Sequence, residues 1–383
     1  MTSAIWSALQ SLGEGFAFLG TTAGLQALVM LAVGGALLYL AVVKEVEPLL
    51  LLPIGFGCML VNLPLSELFQ EHGMLKVIYD FGIVTELFPL FIFIGIGTMI
   101  DFTPMLANPR LLLFGAAGQL GIFLTLVLAL LLGFSQREAV CIGVIGACDG
   151  PTVIYVASMY SKELLGPLSV AAYSYMALVP VIQPPIMRAL TTHKERAVHM
   201  PSFKSTVSRP VLLLFPLVAT AIVGLVAPKG LPLMGTIMLG NFMKVTGVVP
   251  RLVKASENEI ANISTLFLGL AIGGTMGAEQ FLRPQTIIIF ALGLVAIIVD
   301  TAGGVLFGKL WYALSGGKIN PLLGAAGISA YPMAARLVQN EGLKASRQNH
   351  LLMHAVAANT GGQIGSIMAA SIMLAILKGL GIV

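Results

Sequence analysis

Asp149 is the residue of this sequence most suited to chemistry, because it is an acid in the apolar segment GVIGACDGPTVIYVA (143–157). A carboxylate at the centre of a bilayer costs about 2.5–3.5 kcal/mol even on lenient scales, so it needs a cation, a proton or a hydrogen-bond donor. Sodium is a hard ion that prefers oxygen ligands, and a helix interrupted beside Asp149 would add carbonyl oxygens. The alternative is a structural acid that burial keeps protonated.

A second segment, NPLLGAAGISAYPMAAR (320–336), carries further oxygen-bearing side chains. It offers Asn320 at its start and Ser329 within it. The helices predicted to follow the two segments carry Tyr175 and Asn359, respectively. One carboxylate with several neutral oxygens suits a monovalent cation better than a divalent one. Taken singly, the neutral residues are equally well explained as helix caps or interhelical hydrogen bonds.

Arg336 ends the second segment and is predicted to be a buried cation that faces an anion. That anion is either Asp149, in a structural pair, or an anionic substrate group, which the guanidinium fork contacts at two points. Asp300 is a second acid in an apolar run, AIIVDTAGGV, where a packing role and a functional role are equally open. His350 and His354 have i,i+4 spacing without an evident third ligand, so they do not predict a metal site.

Three short patterns occur twice, in the same order and at a nearly constant offset. They are GIGTM (95–99) with IGGTM (272–276), PRLLLFGAAG (109–118) with PQTIIIFALG (284–293), and the spacing GxxGxxxxP at Gly143, Gly146, Pro151 and at Gly324, Gly327, Pro332. Proline removes a backbone donor and glycine turns freely, so each copy is predicted to contain an interrupted helix. The residues at these interruptions are Gly150, Pro151, Gly324, Gly327 and Pro332. The alternative is a pair of ordinary proline kinks.

The composition places both copies in a membrane. Hydrophobic residues make up 57% of the 383 and charged residues 10%, against about 25% charged residues in a soluble chain. A membrane span needs about 20 apolar residues, and the chain has room for roughly ten to twelve such segments. We therefore predict an all-α polytopic membrane protein with two repeats, of the inverted kind whose interrupted helices meet at the midplane.

The repeats are predicted at 25–190 and 209–383, after an N-terminal lead-in at 1–24. Between them lies a loop, 191–208, within the densest basic cluster of the chain, and the positive-inside rule makes this loop cytoplasmic. No basic run suggests nucleic-acid binding. The three cysteines lack CxxC spacing and are predicted to be buried thiols.

Six strings carry a resemblance that runs nearly from end to end of the chain. They are EPLLLLPIGFG (47–57), GACDGPT (146–152), AAYSYMALVPVIQPPIMRALTT (171–192), TAGGV (301–305), SGGKINPLLGAAGISAYPMAARL (315–337) and LLMHAVAAN (351–359). They closely resemble the β subunit of the sodium-translocating, biotin-dependent decarboxylases. That family serves complexes that decarboxylate oxaloacetate, methylmalonyl-CoA, glutaconyl-CoA or malonate.

The resemblance implies a bacterial inner-membrane subunit that decarboxylates carboxybiotin, consumes a proton and drives sodium outward. The sodium-binding and coupling positions that it implies are Asp149, Tyr175, Asn320, Ser329, Asn359 and Arg336, with Gly324 as a close-packing position. Biotin is a group carrier, and its N-carboxy form loses CO₂ readily once protonated. Arg336 is the candidate that holds the carboxylate, and Tyr175, relayed through Asp149, is the candidate that delivers the proton.

The resemblance also implies partners and leaves two rival hypotheses to weigh. The partners are a biotin carrier, the carboxyltransferase α subunit, a small membrane γ/δ subunit and further copies of this chain in a homo-oligomer. The first rival is a sodium-coupled secondary anion transporter, which would share the repeats and the sodium oxygens, and only the resemblance separates the two. The second is a non-catalytic membrane anchor, which makes no use of Asp149.

Overall fold

The computed structural model describes residues 15–45, 47–201 and 207–379, and this part of the chain is helical with no strand. Most of the predicted lead-in, 1–24, lies outside the described residues. The first complete helix begins at Thr22, because the Thr21 side chain accepts a hydrogen bond of 3.0 Å from the Gly24 amide and caps it.

The helices of the first half and of the start of the basic loop include both long apolar elements and short ones. They are α1 (Thr22–Val42), α2 (Pro48–Asn62), α3 (Met74–Tyr79), α4 (Leu87–Met99), α5 (Thr103–Ala107), α6 (Leu112–Ala117), α7 (Leu120–Leu131), α8 (Gln136–Gly143), α9 (Gly150–Tyr160), α10 (Leu165–Leu190) and α11 (His193–Arg196). A π-helical turn (Asp80–Val84) extends α3, and 3-10 turns lie at Pro109–Leu111, Val144–Ala147 and Lys162–Leu164.

The helices after the loop follow a similar order. They are α12 (Arg209–Val226), α13 (Leu231–Thr246), α14 (Pro250–Ala255), α15 (Ala261–Gly274), α16 (Ala278–Phe281), α17 (Pro284–Leu314), α18 (Met333–Ala345) and α19 (Leu352–Gly379). A π-helical turn (Ser256–Ile260) extends α14 as the earlier one extends α3, and 3-10 turns lie at Pro228–Gly230 and Pro321–Gly327.

Four stretches of helix are long and apolar enough to cross a membrane, or up to six if each bent pair counts as one span. Within the described chain the four are Thr22–Val42, Pro109–Leu131, Arg209–Val226 and Pro284–Leu314, and the bent pairs are Met74–Val84 with Leu87–Met99 and Lys162–Met176 with Leu178–Leu190. Large apolar side chains on these helices face outward, such as Leu131 (78% exposed) and Leu225 (85%). Lipid is the solvent that such surfaces need.

The parts of the chain before and after the basic loop pack on each other through two helix pairs. The α2 helix packs on α15, and α4 packs on α13. Glycines make both contacts close: a Cβ atom at Gly57 would lie 2.6 Å from the Leu270 carbonyl oxygen, and one at Gly97 would overlap the Ile237 backbone. Small residues serve the same purpose in membrane helix interfaces generally, where apolar burial gives little driving force.

An ion-pair cluster ties the loop end of α10 to α18. Arg188 donates two hydrogen bonds of 2.7 Å to the Glu341 carboxylate, which Lys344 also contacts at 2.8 Å. These partners, Arg188 first, hold the pKa of Glu341 below its usual range, so this largely buried carboxylate stays charged. The loop end of α18 is therefore fixed beside the basic cluster.

Candidate functional site

The chain leaves helical conformation at two places that correspond in the two halves. After the 3-10 turn Val144–Ala147, Cys148 adopts a left-handed conformation (φ 52°) and Asp149 an extended one, before α9 begins at Gly150. Pro151 fits the first turn of α9, where an amide would have no partner in the helix. After the turn Pro321–Gly327, Ile328 is likewise extended, and α18 begins at Met333.

The two non-helical points contact each other in the core. The Ser329 amide donates to the Ala147 carbonyl oxygen at 3.2 Å, which joins the second point to the first. The Ser329 hydroxyl donates to the Gly362 carbonyl oxygen at 2.9 Å, and Asn359 donates to the Ile328 carbonyl oxygen at 2.7 Å. Because Asn359 and Gly362 both belong to α19, this helix holds the second point in place.

A cavity of about 160 Å³ lies where these elements meet. Its walls come from both halves of the chain: Leu50, Ile92, Ile96, Cys148, Asp149, Pro151, Tyr173, Met176, Thr265, Ser329, Tyr331 and Gln363. Most of this wall is apolar, and a few oxygen atoms converge on it. This arrangement is typical of a small-ligand or ion site, and the volume suffices for a small ion with several waters.

The Asp149 carboxylate is buried (4% exposed) and has only neutral partners. Its Oδ2 atom accepts hydrogen bonds from the Thr152 hydroxyl at 2.6 Å and from the Gln363 amide at 2.9 Å. No Lys, Arg or His of the described chain forms an ion pair with it. A buried carboxylate without a counter-charge is costly, so a mobile cation or a proton must balance it.

Unpaired oxygen atoms accompany this carboxylate. The Asn359 Oδ1 atom and the Tyr173 hydroxyl are buried without a hydrogen-bond partner. Asn359 and Gln363 stand one turn apart on the same face of α19, the face that contacts Asp149. A buried acceptor without a donor is costly in a neutral core and suits a site for a hard cation. The donor set of carboxylate, hydroxyl and amide oxygens therefore fits Na⁺.

The structure brings together only part of the residue set predicted from the sequence. Asp149 and Ser329 line the cavity, and Asn359 lies beside it. Asn320 does not line it. Its amide nitrogen donates to the carbonyl oxygens of Arg196 and Val198, both at 2.9 Å, and its side-chain oxygen caps the following 3-10 turn. Asn320 thus holds the basic loop to the start of the second interrupted segment.

Tyr175 and Arg336 also lie away from the cavity wall. The Tyr175 hydroxyl donates to the Phe290 carbonyl oxygen, and its ring packs on Gly293 of α17. The prediction of a buried Arg336 is wrong, because this side chain is exposed. It makes no ion pair with Asp149, whose partners are Thr152 and Gln363. Arg336 lies five residues after Tyr331 of the cavity wall, in the first turn of α18.

Sequence reasoning missed three residues of the site: Tyr173 and Gln363, which line the cavity, and Thr152, which donates to Asp149. Tyr173 stands two residues before Tyr175, on the opposite side of the helix, and its ring lies where a Cβ atom at Gly150 would be. Gln363 follows Asn359 by four residues, a spacing that places both on one helix face. That spacing is a signal in the sequence, whereas nothing in it favours Tyr173 over Tyr175.

Replacing Gln363 by Met removes one of the two donors to Asp149 and keeps the length of the side chain. We expect the sodium concentration for half-maximal activity to change several-fold, because the orientation of the carboxylate then depends on Thr152 alone. The measurement is sodium dependence in proteoliposomes. Gln348→Met on the exposed α18–α19 connection is the matched control, and an unchanged sodium dependence in Gln363→Met would remove Gln363 from the site.

Apolar spans, two helix interruptions that meet in the core and a buried carboxylate without a counter-charge together define an α-helical membrane protein that handles ions. The chain belongs to the family described as the Na⁺-transporting oxaloacetate decarboxylase beta subunit, whose family model matches residues 26–377. The resemblance seen in the sequence is thereby confirmed. The chain is a β subunit of the membrane-bound, sodium-transporting decarboxylases.

Relatives with different decarboxylation substrates match this chain almost throughout. The methylmalonyl-CoA decarboxylase subunit beta of Veillonella parvula is 50% identical over 97% of this chain and 98% of its own length. The glutaconyl-CoA decarboxylase subunit beta of Acidaminococcus fermentans is 50% identical over 92% and 93%. The probable oxaloacetate decarboxylase beta chain of Vibrio cholerae is 45% identical over 92% and 95%. A β subunit belongs to a complex, so this chain has partner subunits.

Proposed function

We propose that this chain decarboxylates carboxybiotin inside a bacterial inner membrane and couples the reaction to outward sodium transport, with the consumption of one proton. The observation that carries the proposal is the buried Asp149 carboxylate, which has no counter-charge and lines one cavity with Ser329 from the other half. The sodium-transporting family and its decarboxylase relatives supply the reaction class.

Sodium is the transported substrate, and we assign its ligands to Asp149, Ser329 and Asn359. The three side chains come from the two non-helical points and the helix that holds them. Sodium at Asp149 favours the ionised carboxylate, and protonation of the same group expels sodium. This competition links proton uptake to ion release. Moving one net charge against the membrane potential costs about 2.3 kcal/mol per 100 mV, which decarboxylation must supply.

The architecture that we propose is a pair of inverted repeats, 25–190 and 209–383, with roughly ten to twelve membrane segments if shorter and interrupted helices are counted. Its support is the side from which each interrupted segment enters. The second interrupted segment, the helix α18 that continues it and the residues that follow, 320–349 together, touch the basic loop at both ends, because the Arg196 carbonyl oxygen accepts hydrogen bonds from Asn320 and Asn349. In the cytoplasmic orientation of loop 191–208, this segment enters from the cytoplasm.

The first interrupted segment, in contrast, has both of its ends at the face of the protein opposite the basic loop. Glu138 before it shares a surface cavity with Pro284, and Lys162 after it shares another with Arg283. Helix α17 starts at Pro284, directly after Arg283. It ends near the loop, where Lys309 donates to the Leu190 carbonyl oxygen at 3.1 Å. The two segments thus point toward each other and meet at Ala147 and Ser329, as inverted interruptions do.

We assign the capture of carboxybiotin to Arg336. Its guanidinium is exposed in the first turn of α18, five residues after Tyr331 of the cavity wall, where it can meet an anion that approaches the cavity. The fork of donors fits a carboxylate at two points. Tyr175 is the proposed proton donor, and it must exchange its hydrogen bond to the Phe290 carbonyl oxygen for one to substrate. The proposed partners are the biotin carrier, the carboxyltransferase α subunit, a small γ/δ membrane subunit and further copies of this chain.

Free carboxybiotin offered to the purified complex in sodium tests this function. We expect CO₂ release by the wild type and a loss of about 10-fold or more in Arg336→Lys, because lysine keeps the charge but loses the two-point fit. The same substitution at Arg347, an exposed arginine on the α18–α19 connection, is the matched control. A reconstituted complex that transports sodium but releases no CO₂ from carboxybiotin would favour the transporter hypothesis and refute ours.

Alanine at the neutral ligands tests the sodium site separately. We expect Ser329→Ala and Asn359→Ala to raise the sodium concentration for half-maximal activity several-fold, because each removes an oxygen ligand. Asn320→Ala is the informative comparison. A similar rise identifies Asn320 as a ligand, as the sequence predicts, whereas a lower melting temperature at normal sodium dependence assigns it to the loop contacts seen here. Wild-type sodium dependence in Ser329→Ala and Asn359→Ala would contradict our assignment.

A further inference from the structure

A second acid, Asp300, is fully buried in the middle of α17. Its Oδ1 atom accepts a hydrogen bond from the Gly121 amide. Its Oδ2 atom has no accessible surface and no hydrogen-bond partner. Within the described chain no basic side chain pairs with it. One neutral donor is a poor substitute for the hydration of a carboxylate, so the ionised form is costly at this position.

Two helix features build the space around this carboxyl group. The helical run of 112–131 is interrupted after Ala117 and restarts as α7 at Leu120, which leaves the Gly121 amide in the first turn without a partner in the helix. Asp300 accepts from that amide. A Cβ atom at Gly121 would lie 2.6 Å from Oδ2 of Asp300, and one at Gly146 would lie 2.9 Å from it. The two glycines therefore leave room that larger residues would fill.

Neutral oxygen atoms face the same space as the unpaired oxygen. The Ala296 carbonyl oxygen and Asp300 Oδ2 both border the point that a Gly121 Cβ would occupy. Thr125, one turn after Gly121 on the same face of α7, is buried and its hydroxyl also has no partner. A neutral carboxylic acid needs only a neutral acceptor for its hydrogen and no counter-ion.

The charged and titratable groups around Asp300 are few. The first interrupted segment contributes the Cys148 thiol and Asp149, which lie just beyond Gly146. The packed face of α10 contributes Tyr175, two turns along α17, and the neutral Gln183, which donates to Thr301. Helix α7 and the turn Pro321–Gly327 contain no ionisable side chain. Asp149 is thus the one other buried acid that faces this region of the described chain.

We propose that Asp300 is a proton-binding site of the transport cycle, separated from the sodium site by the 3-10 turn Val144–Ala147. The bound proton sits on Oδ2, and the carboxylate re-forms when the proton leaves. Two carboxylates across one turn repel each other when both are ionised. In the state in which Asp149 has released sodium and has not yet taken up a proton, its charge therefore favours protonated Asp300, and sodium at Asp149 removes that charge and favours proton release. The sodium linkage, but not the protonated state itself, rests on the function proposed above.

Infrared spectroscopy of the carboxyl C=O stretch in the purified complex tests this proposal. We expect a protonated-carboxyl band at neutral pH in sodium-free buffer and the loss of part of it in Asp300→Asn, because Asp149 also takes up a proton when sodium is absent. We also expect the Asp300 part, measured as the difference between the wild type and Asp300→Asn, to weaken when sodium is added. An unchanged band in Asp300→Asn, or no band in the wild type, would overturn the proposal. A band that is insensitive to sodium would overturn the linkage.

A second variant covers the case in which Asp300→Asn does not fold. Asp149→Asn leaves Asp300 and Glu341 as the buried acids of the described chain, and Glu341 is paired with Arg188 and Lys344. We expect the protonated-carboxyl band to persist in this variant and to lose its sodium response, and its absence would again overturn the proposal. Carboxybiotin decarboxylation measured on the same samples separates the two ideas, because the band can be present in a complex that releases no CO₂.

Discussion

We expect Asp149→Asn to impair sodium-dependent decarboxylation and sodium uptake together, because in our proposal one carboxyl group serves both. Asparagine keeps the shape and both hydrogen-bond partners within reach, and it removes the charge that sodium needs and the site that a proton can occupy. We expect the turnover of the complex to fall by about 10²-fold or more, the range for the loss of an acid–base group. The measurements are CO₂ release and sodium uptake into inverted vesicles or proteoliposomes.

The control for this experiment is an acid of the same type at the surface. Asp80→Asn removes a half-exposed carboxylate that pairs with Lys76, and such pairs contribute little to stability. We therefore expect near-normal turnover in Asp80→Asn. Coupled transport at the wild-type rate in Asp149→Asn would contradict the whole assignment of the cavity. Loss of transport with retained decarboxylation would show that sodium and the reaction use different groups.

The positions at which the helices stop could be predicted because glycine and proline act locally. Gly150 and Pro151, and likewise Gly327 and Pro332, lie where the backbone departs from helical conformation, whatever their tertiary neighbours are. The cost of a charge in lipid is equally local, so the sequence alone marked Asp149 as a group that needs a partner. Local rules thus predicted the centre of the candidate site.

The rotation of each helix about its axis could not be predicted by the same rules. Helix α10 is apolar on most faces and bends by 57° near its middle, so no amphipathic pattern shows which tyrosine points inward. Tyr173 lines the cavity, while Tyr175 packs on α17. The partner of a buried side chain also comes from distant sequence: Gln363 reaches Asp149 from 214 residues away.

Arg336 and Asn320 show a different limit of sequence reasoning. The Arg336 side chain is exposed although it lies in the first turn of α18, directly after the interruption, and Asn320 is buried against the basic loop and not in the cavity. The sequence shows that the segment is interrupted, but it does not show how deep each residue lies. Depth follows from tertiary contacts such as the pair of asparagines on Arg196.

Gly324→Ala is the substitution away from the cavity for which we expect the largest effect. The turn Pro321–Gly327 crosses α17 with its backbone against that of Gly304, so a Cβ atom at Gly324 would overlap the Gly304 carbonyl group. Backbone cannot move aside as a flexible side chain can, and overpacking of this kind costs about 1–3 kcal/mol or more. We expect a lower melting temperature, a lower yield of folded protein and a loss of sodium-coupled turnover, measured on the purified complex.

The control is Gly35→Ala in α1, where no atom lies within 4 Å of the position that the added Cβ would take. Alanine favours a helix more than glycine does, by about 1 kcal/mol, so we expect this variant to be as stable as the wild type or slightly more so. A normal melting temperature with lost turnover in Gly324→Ala would mean that the turn must slide on α17 during transport. Normal values of both would contradict the close approach, because a backbone contact this tight leaves no room for a methyl group.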